Sequence, residues 1–389
     1  MRLMIKRDLL MEACDQVVPA GGGFRTGELH LTAGGGELAV SAVAGRIVHQ
    51  AVVPVDAGSL KIEHIGRLAL PARYFLGVIR QADGEWLELE GPSGGMARIK
   101  SGQSEHRLAV AEFGEPPVLA DAAGHPAFVL DAGSFHSRLK QVLFAAAASG
   151  SRLPLTGILI EAGGSSWKLS ATDGVRYASC RMGAWGGGGA GWSCLLPAKP
   201  LHDSLKALGM EKGASLSLAI FPFQVQLSAG RAKVQLPRLE GRLPFIKEDI
   251  SGEGVQGISL DSAAFRQALD RACLVAGPSG AVRLSVDAEA AFLSARTAGV
   301  GETRQRLLGV ERIAAAESSW QVLFHGGGMR EIAHAIDYPR LSLAIGGRQK
   351  PIRITVPEDE GRLYMIAPIL EAVSLQEEAE LHSKWGGAR

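Results

Sequence analysis

The stretch that most constrains this chain is one that returns. Leu70-Pro71-Ala72-Arg73-Tyr74-Phe75-Leu76-Gly77-Val78-Ile79-Arg80 is followed 126 residues later by Leu196-Pro197-Ala198-Lys199-Pro200-Leu201-His202-Asp203-Ser204-Leu205-Lys206. In both copies an apolar strand end meets a proline, then apolar residues three and four apart. That is how a helix entered through a proline at its start reads. Arg73 aligns with Lys199, and Arg80 with Lys206. Seven residues make about two helical turns, so each copy carries its two cations on one face. A looser third copy runs from Phe324 through His325, Gly326, Gly327, Gly328, Met329, Arg330 and Glu331 to Ile332. Solenoid repeats span only about 20–50 residues, so a repeat of this length copies a whole domain.

A second marker keeps the same period. Leu130-Asp131-Ala132-Gly133-Ser134-Phe135-His136-Ser137-Arg138-Leu139 is echoed by Leu260-Asp261-Ser262-Ala263-Ala264-Phe265-Arg266-Gln267-Ala268-Leu269. Each Asp stands just before a helical pattern, where its carboxylate can accept from free backbone N–H groups. The first copy, Ile5-Lys6-Arg7-Asp8-Leu9-Leu10, is weaker and puts Leu10 at the Phe position. The chain therefore reads as three tandem domains of two helices each, at 1–122, 127–250 and 255–370, with 371–389 as a C-terminal extension.

Between the helices the pattern changes to period two. Glu28–Ala33, Arg46–Val53, Glu85–Glu90, Ala97–Lys100 and Glu105–Val110 alternate in the first domain, as do Gly157–Glu161 and Trp167–Thr172 in the second. With glycine-rich turns between them, these segments predict antiparallel sheet and an α+β class. Helices are expected over 131–147 and 197–208, a linker at Glu115-Pro116-Pro117 and Ala120–Pro126, and a flexible loop at Gly186–Gly189.

Composition narrows the function classes. The net charge is +1, so any contact with a polyanion must come from local arrangement. The four cysteines, Cys14, Cys180, Cys194 and Cys273, are far apart with no CxxC, which fits a reducing cytoplasm. No apolar run approaches the ~20 residues of a membrane span, and the N-terminus shows no signal-peptide core. The ten histidines are scattered without an HExxH, and no carboxylate pair stands in an acid/base pattern. Gly326-Gly327-Gly328 lacks the Lys-Ser/Thr of a phosphate-binding loop and reads as a tight β-to-α turn. Gly91-Pro92-Ser93-Gly94-Gly95 lacks the spacing of a nucleophile elbow. No catalytic residue, metal site or cofactor is expected.

One constellation remains. Ser151-Arg152-Leu153-Pro154-Leu155-Thr156-Gly157-Ile158-Leu159-Ile160-Glu161 precedes Ala171-Thr172-Asp173-Gly174-Val175-Arg176-Tyr177-Ala178. The residues alone read Thr-Asp-Gly as a hairpin turn. The two segments resemble the middle domain of the bacterial DNA polymerase III β subunit, the β sliding clamp family. Leu70–Phe75, the turn Glu240-Gly241-Arg242-Leu243-Pro244 and the closing Tyr364-Met365-Ile366-Ala367-Pro368-Ile369-Leu370 resemble it too, over about residues 1–370. The sequence departs at Val175, where the family usually has His, and at Tyr177, where it has Leu. It departs again at Ala367, Leu370 and Gly328, the last standing where a Tyr often lines the family's pocket.

The resemblance implies three copies of the clamp fold in a head-to-tail homodimeric ring around double-stranded DNA. It implies a non-enzymatic, cytoplasmic processivity factor, opened by a clamp loader and bound by a DNA polymerase III α-type subunit, without a membrane. A divergent paralogue with an altered partner pocket is the alternative. Partner peptides would dock against Leu155, Thr172, Gly174, Val175, Arg176, Tyr177, Pro244, Ile246, Met365, Ile366, Ala367, Pro368 and Ile369. DNA would be faced by Arg25, Arg73, Arg80, Arg138, Lys199, Lys206 and Arg266. The dimer would join His106 and Leu108 to Cys273 and Leu274. The extension, with Leu381 and Trp385 four apart, is expected either to fold back over the pocket or to remain a solvated tail.

Overall fold

The computed structural model describes residues 1–19, 27–56, 58–111, 117–150, 152–163, 166–183, 191–209, 213–249, 255–313, 319–347 and 349–370. Arg25, Ser151, Gly186–Gly189, the Glu115-Pro116 end of the linker and the 371–389 extension lie outside the described residues.

Three times the chain runs strand, helix, several strands, helix, three strands. The first pass is β1 (Arg2–Lys6), α1 (Arg7–Val17), β2 (Glu28–Gly34), β3 (Glu37–Ala44), β4 (Ile47–Pro54), β5 (Leu60–His64), β6 (Gly66–Pro71), α2 (Ala72–Gln81), β7 (Trp86–Ser93), β8 (Met96–Ser101) and β9 (Ser104–Ala109). The second is β10 (Ala127–Asp131), α3 (Ala132–Leu143), β11 (Gly157–Gly163), β12 (Ser166–Thr172), β13 (Arg176–Gly183), β14 (Trp192–Pro197), α4 (Ala198–Ala207), β15 (Ser215–Ile220), β16 (Gln224–Ala229) and β17 (Ala232–Pro237). The third is β18 (Gln256–Asp261), α5 (Ser262–Val275), β19 (Ala281–Val286), β20 (Ala291–Thr297), β21 (Gly301–Leu307), β22 (Glu311–Arg312), β23 (Trp320–His325), α6 (Gly326–Ala335), β24 (Arg340–Ile345), β25 (Ile352–Thr355) and β26 (Arg362–Ile366).

Every helix begins at the residue after a strand ends. The last strand residues, Lys6, Pro71, Asp131, Pro197, Asp261 and His325, share one conformation, with φ between −59° and −74° and ψ between 111° and 131°. That φ is the one a proline ring imposes, which is why Pro71 and Pro197 fit there without strain. Asp131 and Asp261 each accept from a backbone N–H three residues on, both at 2.7 Å, as the sequence predicts. Lys6 caps nothing with its side chain, and Asp8 sits within the first turn of α1, so the first copy starts differently. The glycines 326–328 are not the expected turn: they form the first turn of α6, where His325 Nδ1 accepts from Gly328 N at 3.1 Å. The helix expected over 131–147 stops at Leu143, because the N–H groups of Ala145 and Ala146 turn back to carbonyls only three residues away.

The paired helices of each repeat lie against each other, and matched positions on them are buried. Leu10, Phe135 and Phe265 fill one position, and Phe75, Leu201 and Met329 the other; all six are at most 1% exposed. Each such side chain is worth about 1.5–3 kcal/mol when fully buried.

The chain forms two compact units, residues 1–172 with 180–243, and 173–179 with 244 onward. In the first unit the first two repeats share one antiparallel sheet, ordered β10-β15-β16-β17-β4-β3-β2-β6. The join is β17 against β4, with Val234 opposite His49. The first repeat adds the sheet β5-β1-β7-β8-β9, and the second adds β14-β11-β12 with the Cys180–Gly183 end of β13. The second unit holds a four-stranded sheet, β21-β20-β19-β23, and the run β26-β25-β24-β18-β22.

His49 is buried at that join. Its Nε2 lies 3.0 Å from Ser204 Oγ on α4, and its Nδ1 lies 3.3 Å from the Gln16 carbonyl on α1. Burial dominates and pushes the imidazole down to about 4, with the Gln16 carbonyl working weakly the other way. A lowered His leaves stability intact above the unfolded value near 6.5 and removes it as pH falls towards 4. The loss at the acid limit is on the order of 3 kcal/mol. Urea unfolding at pH 7.5 and pH 4 should show this acid loss in the parent and a smaller one in His49→Gln.

Candidate functional site

Most of the surface assigned to partner peptides is assembled in the second unit. Its centre is the turn between β12 and β13. Asp173 Oδ1 accepts from the N–H groups of Val175 and Arg176 at 2.9 and 2.7 Å, and Gly174 takes φ +93°, which favours glycine. This turn leaves Val175 52% exposed. The chain after β26 lies beside it: Ala367 N donates to Val175 O at 2.8 Å. Ile369 N donates to Leu323 O at 2.7 Å, and Pro368 bridges to Phe324. Residues 367–369 are therefore strapped between the 173–176 turn and the end of β23.

Beneath the strap, Tyr177, Leu363 and Met365 form a buried cluster with Ile246 and Ala344 packed against it. The Tyr177 hydroxyl donates to Glu248 Oε1 at 2.5 Å. Arg176 Nε donates to Asp173 Oδ2 at 2.9 Å, and its Nη1 pairs with Glu331 on α6. Burial works against the guanidinium, but Asp173 and Glu331 outweigh it and hold it above its usual range. Gly328 makes room for this arrangement. A Cβ there would stand 3.1 Å from both Arg176 Cδ and Ile366 Cδ1.

The structure brings together Gly174, Val175, Arg176, Tyr177, Ile246, Met365, Ile366, Ala367, Pro368 and Ile369 in one unit. Within that set, Tyr177, Met365 and Ile366 are buried and act as floor rather than as contact surface. Val175, Ala367, Pro368 and Ile369 are partly open, and Pro244 and its neighbour Phe245 are exposed, Phe245 at 93%. Leu155, in a 3₁₀ turn over Leu153–Thr156, and the buried Thr172 belong to the first unit. Sequence reasoning missed Glu331, Glu248 and the role of Gly328, because nothing in one sequence ties position 176 to 331, or 177 to 248.

β26 is held in place by Arg362, whose side chain is 4% exposed. It pairs with Asp359 at 2.8 Å and Asp337 at 2.5 Å, and it lies over the Tyr338 ring at 4.8 Å.

The cations assigned to DNA fall into two groups. Arg73 and Lys206 are exposed. Lys199 is exposed too, pairing with Asp203 at 2.9 Å, and Arg80 pairs with Asp15 of α1 at 3.1 Å. Arg138 and Arg266 turn back onto the protein instead. Arg138 Nη1 reaches Cys180 Sγ at 3.5 Å, and Arg266 Nη1 reaches the Ile336 carbonyl at the end of α6 at 3.4 Å. The strands β9 and β21 each stand at the end of a sheet. β9 carries exposed Glu105, His106 and Arg107 with half-buried Leu108. On the last turn of α5, Leu274 is 82% exposed and Cys273 half-buried. Among the described residues, no cluster of three or more His, Cys, Asp or Glu side chains is placed to hold a metal, and no helix is long and apolar enough to cross a membrane.

Known structures carry the same architecture. The crystal structure of the DNA polymerase sliding clamp from Bacillus subtilis superposes with a TM-score of 0.86 at 22% identity, covering 95% of this chain and 99% of that one. A DNA polymerase III β chain from Streptococcus pneumoniae TIGR4 gives 0.86 at 16% identity, covering 95% and 100%. The class is thus the sliding-clamp fold, three α+β repeats in one chain. Residues 129–245 match the family model for the DNA polymerase III β subunit, central domain. The β sliding clamp of Bacillus subtilis (strain 168) is 23% identical over 379 residues, 95% of this chain and 99% of the relative. The chain is thus similar to β sliding clamps along nearly its whole length, and to the family model in its central part.

Replacing Arg362 by Met should destabilise the second unit by about 3 kcal/mol, the low end for breaking a buried pair, because Asp337 stays solvated. Urea unfolding followed by hydrogen exchange at residues 363–366 would show it; exchange rates equal to the parent's would contradict it.

Proposed function

We propose that this chain is a DNA sliding clamp that closes as a head-to-tail dimer around duplex DNA and tethers a replicative polymerase to it. The observation that carries this reading is the repeat itself. Cations recur at equivalent places on α2 and α4, Arg73 with Lys199 and Arg80 with Lys206. A ring that slides must touch phosphates evenly and read no bases, which modest repeated cations do better than one dense basic patch. The end strands β9 and β21 suit a ring, because each chain would offer both and cover both. His106 and Leu108 would meet the partner copy near Cys273 and Leu274.

Polymerase III α-type subunits and the clamp loader would bind through short peptides on the Gly174–Tyr177 and Ala367–Ile369 surface. An apolar floor with a few fixed polar groups suits a peptide with a hydrophobic anchor. The protein would work in the cytoplasm and perform no chemistry itself.

Loading onto nicked circular plasmid by a clamp loader tests the reading. Retention on the circle and release after linearisation are expected; equal retention on both would refute topological tethering. Sedimentation should give twice 40.9 kDa. Replacing Arg73, Arg80, Lys199 and Lys206 by Glu should abolish retention, while raising salt from about 50 to 200 mM weakens the parent's DNA contact. A quadruple variant retained like the parent would show that these helices do not face DNA.

A further inference from the structure

A strand at the end of a sheet turns N–H and C=O groups outward, and proteins cover such an edge or load it with charge. β6, β14 and β23 are covered. Ala111 N donates to Ala69 O at 3.0 Å, Leu239 N to Leu195 O at 2.8 Å and Ile369 N to Leu323 O at 2.7 Å. β5, β9, β21 and β22 are charged, with Lys61 and Glu63, Glu105 and Arg107, Glu302 and Arg304, and Glu311 and Arg312 respectively. β10 also ends a sheet, and among the described residues it has neither protection. It reads Ala127-Phe128-Val129-Leu130-Asp131, and the Asp131 carboxylate is engaged by Ser134 N and Gly213 N.

The other two repeats show what belongs on this edge. β1, the strand before α1, pairs on its outer side with β5. Met4 stands opposite Lys61, and Lys6 N donates to Ser59 O at 2.9 Å. β18, the strand before α5, pairs on its outer side with β22. Ser259 stands opposite Glu311, and Ile313 N donates to Gly257 O at 3.0 Å. Both added strands run antiparallel. In β10, the strand before α3, Val129 takes the place of Met4 and Ser259. Met4 is half-buried and Ser259 only 8% exposed, whereas Val129 is 59% exposed.

The ladder fixes which groups point outward. Ile220 N donates to Pro126 O and Ala132 N to Ala214 O, so the hydrogen-bonded pairs with β15 fall at Pro126, Phe128, Leu130 and Ala132. The N–H and C=O groups of Ala127 and Val129 therefore face away from the sheet. The side chains of Phe128 and Leu130 are buried on either side of Val129. Around Met4 the corresponding residues, Leu3 and Ile5, stand opposite Ile62 and Leu60. A strand added to β10 thus needs apolar residues at alternate positions, as in Leu60-Lys61-Ile62.

We propose that the outer edge of β10 is a docking site for an extended segment of another protein, which joins the sheet as an antiparallel strand with apolar residues at alternate positions. The edge uses none of the residues assigned above to DNA, to the dimer or to partner peptides, so it stands apart from the clamp reading.

The probe is the chain's own Ser59–Ile65 segment, made as a free peptide with blocked ends. In the full chain, amide exchange read residue by residue should be slow at Phe128 and Leu130 and fast at Ala127 and Val129. Adding the peptide should slow the latter two; no slowing would overturn the site. A Val129 amide already slow in the chain alone, or slowed by raising protein concentration, would show that the chain itself or a second copy holds the edge, and would also overturn it. Val129→Pro removes an outward N–H and leaves the bonds to β15 in place. That variant should keep slow exchange at Phe128 and Leu130 and bind the peptide about fivefold more weakly, the scale of one hydrogen bond. Binding equal to the parent's would count against edge pairing. The peptide carrying Leu60→Asn and Ile62→Asn should not bind, and undiminished binding would refute the apolar pattern.

Discussion

The structure depends on a junction of zero length. A helix joined to a strand by a loop can swing, but one that starts on the next residue has its direction set by a single φ/ψ pair. Here that pair is nearly the same six times. The first N–H of a helix has no partner within it, and at five of these starts it finds one in a neighbouring segment. Arg7 donates to Glu85 O, Ala72 to Gly27 O, Ala132 to Ala214 O, Ser262 to Pro339 O and Gly326 to Gly280 O, all between 2.7 and 3.0 Å. Those five helices are thereby pinned at their roots, and the buried Leu10, Phe75, Phe135, Phe265 and Met329 add apolar burial along them.

This explains why so much of the fold could be read from the chain. A junction that demands φ near −65° selects Pro, and one that leaves donors free selects Asp, so Pro71, Pro197, Asp131 and Asp261 mark helix starts in the bare sequence. The alternating strands were legible for the same kind of local reason. Lys6 and His325 meet the same geometric demand without those residues, and there the reading slipped. His325 caps α6 with a ring nitrogen, and that helix opens on three glycines, a composition that reads as a turn. Gly326 is nonetheless required: a Cβ there would come within 2.5 Å of Val282 Cγ2.

The candidate site was legible as a list of residues but not as an arrangement. The Thr-Asp-Gly turn and the closing segment carry local patterns, so their positions could be named. What turns them into a surface is long-range: Arg176 to Glu331, Tyr177 to Glu248, and the space over Gly328. The same limit holds for the cations. Helical spacing puts Arg138 and Arg266 on plausible faces, yet Cys180 and the end of α6 take up their guanidiniums.

The pairing of β17 with β4 has a mechanical meaning. Four residue pairs, from Ala232↔Ala51 to Gln235↔Val48, join the first two repeats in one hydrogen-bonded ladder, with His49 and Ser204 bonded beneath it. A pull along the strands loads all these rungs together, so the join yields as a block rather than one bond at a time. The first two repeats thus transmit load as a single beam.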